Sequence, residues 1–224
     1  KDMTVGKPAS VIISFTIPIL IGNIFQQFYN MADAIIVGRC VGNRALAAVG
    51  STGTFMFLIY GLVTGMTVGF TVSTAQRFGA GDMDGMRKSV ASAIKLAAIV
   101  TALMTAVTMI FMRPMLRLMN TPSDIFDDAY SYIMIICAGI VAQVLYNMLS
   151  AILRALGNSK TPLYFLILSA LLNIGLDLVF IKIFRMGAAG AAYATVISQL
   201  IAGIASFIYI IAKVPLLHLR KEDW

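Results

Sequence analysis

A chain of 224 residues that is 59% hydrophobic and 12% charged, with a mean hydropathy of +0.89, cannot cover its surface with charge as a soluble domain does. Its formal net charge of +7 is scattered over the ends of apolar runs and forms no uninterrupted basic stripe, so the expected partner is a lipid bilayer and no nucleic acid. No enzyme is expected either: the single histidine, His218, falls in the terminal tail, and no nucleophile with a nearby base and no metal-ligand set emerges.

The uncharged runs number 25 residues between Lys7 and Asp33, 32 between Arg44 and Arg77, 17 between Lys95 and Arg113, 25 between Asp128 and Arg154, and 27 between Arg185 and Lys213. A spanning helix needs roughly 20 mainly apolar residues, so these runs read as transmembrane segments. The expected fold is all-α and polytopic. Its helices fall near 10–38, 45–73, 89–112, 126–153, 161–183 and 188–212.

The first segment extends too far for a secretory signal and reads as the first span, with Pro18 inside it predicting a kink. Within FYNMADAIIVG, Asp33 follows Asn30 by three positions, so carboxylate and amide share a helix face. The connections RCVGNR, RFGAGDMDGMRK, MNTPSD, RALGNSKTP and FRMG carry the turn residues expected between helices. Asp124, Asp127 and Asp128 suit the positive end of the fourth helix, and Pro162 suits the first turn of the fifth. In that fifth segment, SALLNIGLDLVFI, Asp177 follows Asn173 by four. The sixth opens with MGAAGAAYA, where Gly187, Ala188, Gly190 and Ala191 are expected to let a neighbouring helix approach. Cys40 and Cys137, far apart and in no metal spacing, read as buried small hydrophobes. The many methionines are expected to pack or to line an adaptable cavity.

Six spans put both termini on one side. That side holds Lys1, Lys7, Arg77, Arg87, Lys88, Lys95, Arg154, Lys160, Lys213, Arg220 and Lys221, 11 basic residues against 6 on the other. The positive-inside rule therefore makes it cytoplasmic.

A carboxylate within hydrocarbon is costly and is driven toward a bundle interior, a cavity or a partner. Asp33 pairing with Arg39 and Asp177 pairing with Lys182 at the outer interface is the plainest arrangement. The spacing also supports a shared site. Asp33 lies six residues before Arg39, roughly 9 Å inside, and Asp177 lies roughly 8 to 10 Å inside, at 1.5 Å per residue. Thr195 lies roughly 12 Å along the returning sixth helix. Asn30, Asp33, Asn173, Asp177 and Thr195 then supply oxygens at one level, a set suited to a hard cation or to proton exchange. Tyr60, Gln143, Asn147 and Tyr193 are candidates for an adjoining polar cavity.

The segments IPILIGNIFQQFYNMADAIIVGRCVGNRALAAVG, ILRALGNSKTP, LNIGLDLVFI and MGAAGAAYATVISQ resemble, in order and spacing, the amino-terminal half of the multidrug and toxic compound extrusion (MATE) transporters, nearest the prokaryotic branch related to DNA-damage-inducible membrane proteins. The resemblance implies a twelve-helix transporter of two six-helix lobes that exports cationic or amphiphilic compounds in exchange for sodium ions or protons, with no other cofactor. It also implies a prokaryotic cell membrane, a missing carboxy-terminal lobe, and a coupling site or candidate sodium site at Asp33, Asn173, Asp177 and Thr195. Arg154 enters as a conformational element. Two alternatives stand beside it: a flippase for lipid-linked sugars or other amphiphiles, whose cavity should carry cationic side chains for phosphate, and a membrane scaffold without transport.

Overall fold

The computed structural model of the chain describes residues 8–218 and 220–223; Lys1 and Lys7 of the basic tally lie outside them, as does the side chain of Lys221. Among the described residues the secondary structure is entirely helical. The first helix, α1 (Pro8–Cys40), runs through Pro18 as one element and buries only Pro18, Gly22 and Val37, so most of its apolar surface faces outward as a lipid-contacting helix would.

The segment expected as one helix over 45–73 is two: α2 (Asn43–Ser51) and α3 (Gly53–Gly79). They meet at buried Thr52, whose hydroxyl donates to the Val49 carbonyl at 2.7 Å and competes with the regular helix ladder. After α3, Gly81 takes φ +76°, and the Asp82 amide bonds back to the Arg77 carbonyl at 3.0 Å, a left-handed stop that suits glycine. The next helix, α4 (Met83–Leu118), is longer than 89–112 at both ends. Asp82 starts it early by accepting the Gly85 amide at 2.8 Å, and Pro114 near its far end does not end it.

The fourth span consists of α5 (Phe126–Ala138) and α6 (Ile140–Ala155), bent by 46°. The bend falls at Gly139, where any β-carbon would run into the Val196 side chain of the sixth span. The fifth span is α7 (Lys160–Asp177) followed by a π-helical turn, Leu178–Ile183. The last is α8 (Gly187–Lys213). Counting the bent pair as one gives six crossings by length and apolarity, a six-helix lobe.

The main core lies among α3, α4, α5 and α6, where Ile59, Val63, Met86, Ile133, Ile140 and Ile152 are each at most 2% exposed. A smaller cluster joins Val37 of α1, Tyr132 and Ile136 of α5, Ile181 of the π turn and Ala188, Ala191 and Ala192 of α8. The small residues at the start of α8 make this packing possible: a β-carbon at Gly190 would lie 3.2 Å from that of Phe180. Cys137 is buried, but Cys40 is exposed, a correction that follows from its place as the last residue of α1, beyond the packed part of that helix. Beyond α8 the tail returns to α4: Leu217 enters the main core, and the Arg87 guanidinium meets both Asp84 and, at 3.4 Å, Asp223.

Candidate coupling site

Asp33 projects from α1 one helical turn before Val37, and Asp177 closes α7 one turn before Ile181. The small apolar cluster containing Val37 and Ile181 therefore caps both carboxyls at the end of the bundle away from the termini. Asp177 and Asn173 are completely buried, and the two carboxyl groups lie within hydrogen-bonding reach of one another. The π turn begins directly after Asp177, and such turns widen the helix and often accompany functional sites.

The expected pairings of Asp33 with Arg39 and Asp177 with Lys182 are not formed among the described residues, whose ion pairs all lie elsewhere. Arg39 stands six residues after Asp33 on α1, a spacing that does not return to the same helix face. Instead, Asp33 Oδ1, both Asp177 oxygens and Asn173 Oδ1 are buried acceptors with no protein donor. A buried acceptor without a donor carries its full desolvation cost, about 1 to 3 kcal/mol and more for charged groups. Four of them together match a hard cation, which replaces lost hydration with oxygens, or a proton shared between the carboxyls.

Thr195 of α8 organises the neighbouring side. It is 4% exposed, and its hydroxyl oxygen accepts from Asn173 Nδ2 at 3.3 Å and from the Tyr29 hydroxyl at 3.3 Å. The amide of Asn173 is thereby turned so that its oxygen joins the carboxyls. Tyr29 and Tyr132 lie within electrostatic range of both carboxyls, and Tyr60 within range of Asp33. Of these, Tyr29 and Tyr132 escape the sequence reading. Tyr29 had a usable signal, standing four residues before Asp33 and hence on the same face; Tyr132, within an apolar stretch of α5, had none.

A cavity of about 500 Å³ adjoins this cluster and runs from Tyr29, Asn30 and Tyr60 toward Arg154 and Ser159 at the turn between α6 and α7. Asn30 is thus exposed in the cavity, one step from the carboxyls. Gln143 and Asn147 also line it, the Asn147 amide held by the Gln143 carbonyl at 2.8 Å, and Pro18 contributes to its α1 wall. Tyr193 does not: it is 41% exposed on a different face of α8 from Thr195, since two residues turn a helix by about 200°. Arg154, introduced as a conformational element, lines the cavity and is its only charged lining residue among the described residues. Among the described residues no group of three or more histidine, cysteine or acidic side chains could hold a metal, so any ion here would rest on two carboxylates with amide and hydroxyl oxygens.

The family model described as MatE matches residues 18–179, the stretch that carries Asp33, Asn173 and Asp177. The chain belongs to the MatE family. It is 32% identical over its full length to the probable multidrug resistance protein YpnP of Bacillus subtilis, of which it covers 51%. It is 26% identical over 95% of its length to an FAD transporter of Shewanella oneidensis, covering 48% of that protein. In three dimensions it matches a MOP superfamily transporter from Pyrococcus furiosus whose binding pocket is described as reversed in polarity, with a TM-score of 0.92, 28% identity, and coverage of 99% of this chain and 49% of the other. The MatE chain spans about half the length of the relatives it matches.

Proposed function

We propose that this chain is the amino-terminal lobe of a twelve-helix secondary transporter that exchanges a sodium ion or proton for cationic or amphiphilic compounds by alternating access. On this reading a carboxy-terminal six-helix lobe completes the substrate route, both ends of the segment are cytoplasmic, and the host membrane is a prokaryotic cell membrane. Within the family we place it in the prokaryotic branch related to DNA-damage-inducible membrane proteins.

The observation that carries the proposal is the carboxyl pair of Asp33 and Asp177 with Asn173, which together hold four buried acceptor oxygens lacking a protein donor beside a cavity. Asp33, Asn173 and Asp177 act as ligands for the ion or hold the proton, Thr195 orients Asn173, and Asn30 stands at the cavity side. Tyr60, Gln143 and Asn147 line the substrate route. Occupancy removes the cost of the unpartnered oxygens in one packing of α1 against α7 and not in another, which is the differential interaction a population shift requires. Because α1 buries so little surface and contains Pro18, it is the element whose packing changes most readily. Arg154, at the end of α6, stays with the scaffold against which α1 moves.

A flippase has one feature in its favour, a guanidinium in the cavity, but its acidic pair would then have no task. A scaffold reading leaves the unpartnered oxygens without explanation. In cells expressing the complete transporter, Asp33→Asn and Asp177→Asn are expected to reduce ion-driven efflux to background while protein levels hold. Unchanged efflux in both variants would sink the proposal.

A further inference from the structure

We infer that Arg154 forms an oxyanion subsite at the end of the cavity remote from the carboxyl pair, receiving a carboxylate or phosphate carried by the amphiphile that occupies the cavity. The inference rests on the proposed function, in which that cavity is the substrate route, and adds the charge class of the substrate.

The cavity is electrically two-ended. Its lining is mostly apolar with amide and hydroxyl groups set among it, and among the described residues it includes no carboxylate and one charge, the Arg154 guanidinium. Asp33 and Asp177 lie beyond its other end. Fifteen residues of helix separate Pro162, beside the Arg154 turn, from Asp177, which is roughly 22 Å at 1.5 Å per residue. That distance is several times the roughly 4 Å reach of an ion pair, so neither acid pairs with Arg154. No carboxylate forms an ion pair with it among the described residues either.

The subsite is also held in place. α6 ends in a left-handed turn in which the Gly157 amide bonds to the Arg154 carbonyl at 2.9 Å and the Asn158 amide to the Leu153 carbonyl at 2.9 Å, with Gly157 at φ +76°. Asn158 then caps α7, its Oδ1 accepting the Thr161 amide at 3.1 Å. Tyr146, which lines the cavity together with Arg154, donates its hydroxyl to the Pro162 carbonyl at 3.0 Å. A guanidinium on a fixed turn, lining an amphiphile-sized cavity with forked donors and no acid to pair them, has the recognition chemistry for a carboxylate or phosphate. A merely topological arginine at a cytoplasmic helix end would point to the headgroups and would not discriminate between solutes of opposite charge.

The test uses the complete transporter in phosphatidylcholine nanodiscs, with carboxyfluorescein as anionic probe and rhodamine 6G as cationic probe, both read by fluorescence anisotropy. Wild-type protein is expected to bind carboxyfluorescein, Arg154→Gln to weaken that binding about tenfold or more while leaving rhodamine 6G unchanged, and Arg154→Lys to fall between. Failure of the wild-type protein to bind the anionic dye overturns the subsite, as does an equal effect of Arg154→Gln on both dyes in a variant that melts like wild type. Adding phosphatidylglycerol separates two sources of the oxyanion: competition with the dye assigns it to a lipid headgroup, and absence of competition to a soluble amphiphile. Asp177→Asn serves as the independent arm. It should leave carboxyfluorescein binding intact while removing ion-driven transport, so loss of the subsite and loss of the coupling proposal give different results.

Discussion

The core of α3, α4, α5 and α6 and the seam where α1 meets α7 and α8 solve opposite problems. In the core, Ile59, Ile133, Ile140 and Leu153 are packed to near-zero exposure, and buried hydroxyls such as Thr67 and Thr101 bond to carbonyls of their own helices. At the seam, Asp177 and Asn173 are just as deeply buried, yet their oxygens find no protein donor. Scattered atoms such as Ser150 Oγ of α6 also lack a partner, but only at the seam do four unpartnered oxygens, three of them from carboxyls, gather in one place. Polar groups that packing alone leaves unsatisfied are what an ion can act upon.

The difference is open to direct attack. The largest effect expected is in the core: Ile140→Ala or Leu153→Ala should destabilise the lobe by about 2 to 5 kcal/mol, read as a drop in melting temperature in detergent, with transport per folded molecule little changed. Next comes the seam, where Asp33→Asn with Asp177→Asn should abolish the thermal stabilisation given by the coupling ion, about 2.7 kcal/mol at a concentration one hundred times its Kd. Without the ion, that double variant should melt no lower than wild type, because the replaced oxygens had no donors to lose. Gly139→Val forces the bend between α5 and α6 away from Val196, and should cost about 1 to 3 kcal/mol by overpacking, again visible as melting temperature. The smallest effect belongs to Thr195→Val, which removes the hydroxyl shared by Tyr29 and Asn173 at a cost of about 1 kcal/mol. Its ion affinity should fall by about tenfold while Thr195→Ser stays near wild type, measured by ion titration of melting temperature.

Much of this division is written into the chain. Uncharged run lengths lead to five crossings and the apolar stretch around Asp177 supplies the sixth, while the three- and four-residue spacings of Asn30 with Asp33 and Asn173 with Asp177 identify the helix faces that carry polar groups. Equal depth, counted at 1.5 Å per residue, brings Asp33 level with Asp177, and the structure sets the two carboxyls side by side. Irregular backbone is less legible. The break at Thr52, the bend at Gly139 and the π turn after Asp177 each depend on what packs against the helix, as Val196 does against Gly139, and a single-chain periodicity carries no trace of that neighbour. Rotation about α8 is similarly hidden: Tyr193 and Thr195 are two residues apart, and only packing decides that the threonine turns inward and the tyrosine outward. Arg154 reads in sequence as one more interfacial charge, and its place in the cavity appears only when α6 and α7 are folded against each other.

The central claim is that Asp33 and Asp177 bind the ion whose movement drives transport. Its most direct test is simultaneous measurement of ion and substrate flux in proteoliposomes containing the complete transporter, with sodium and proton gradients imposed separately, for wild type, Asp33→Asn and Asp177→Asn. The account predicts that one gradient drives substrate movement in wild type with matching ion counterflow, and that both fluxes collapse together in each variant. Wild-type coupling between ion and substrate surviving in either variant would contradict it.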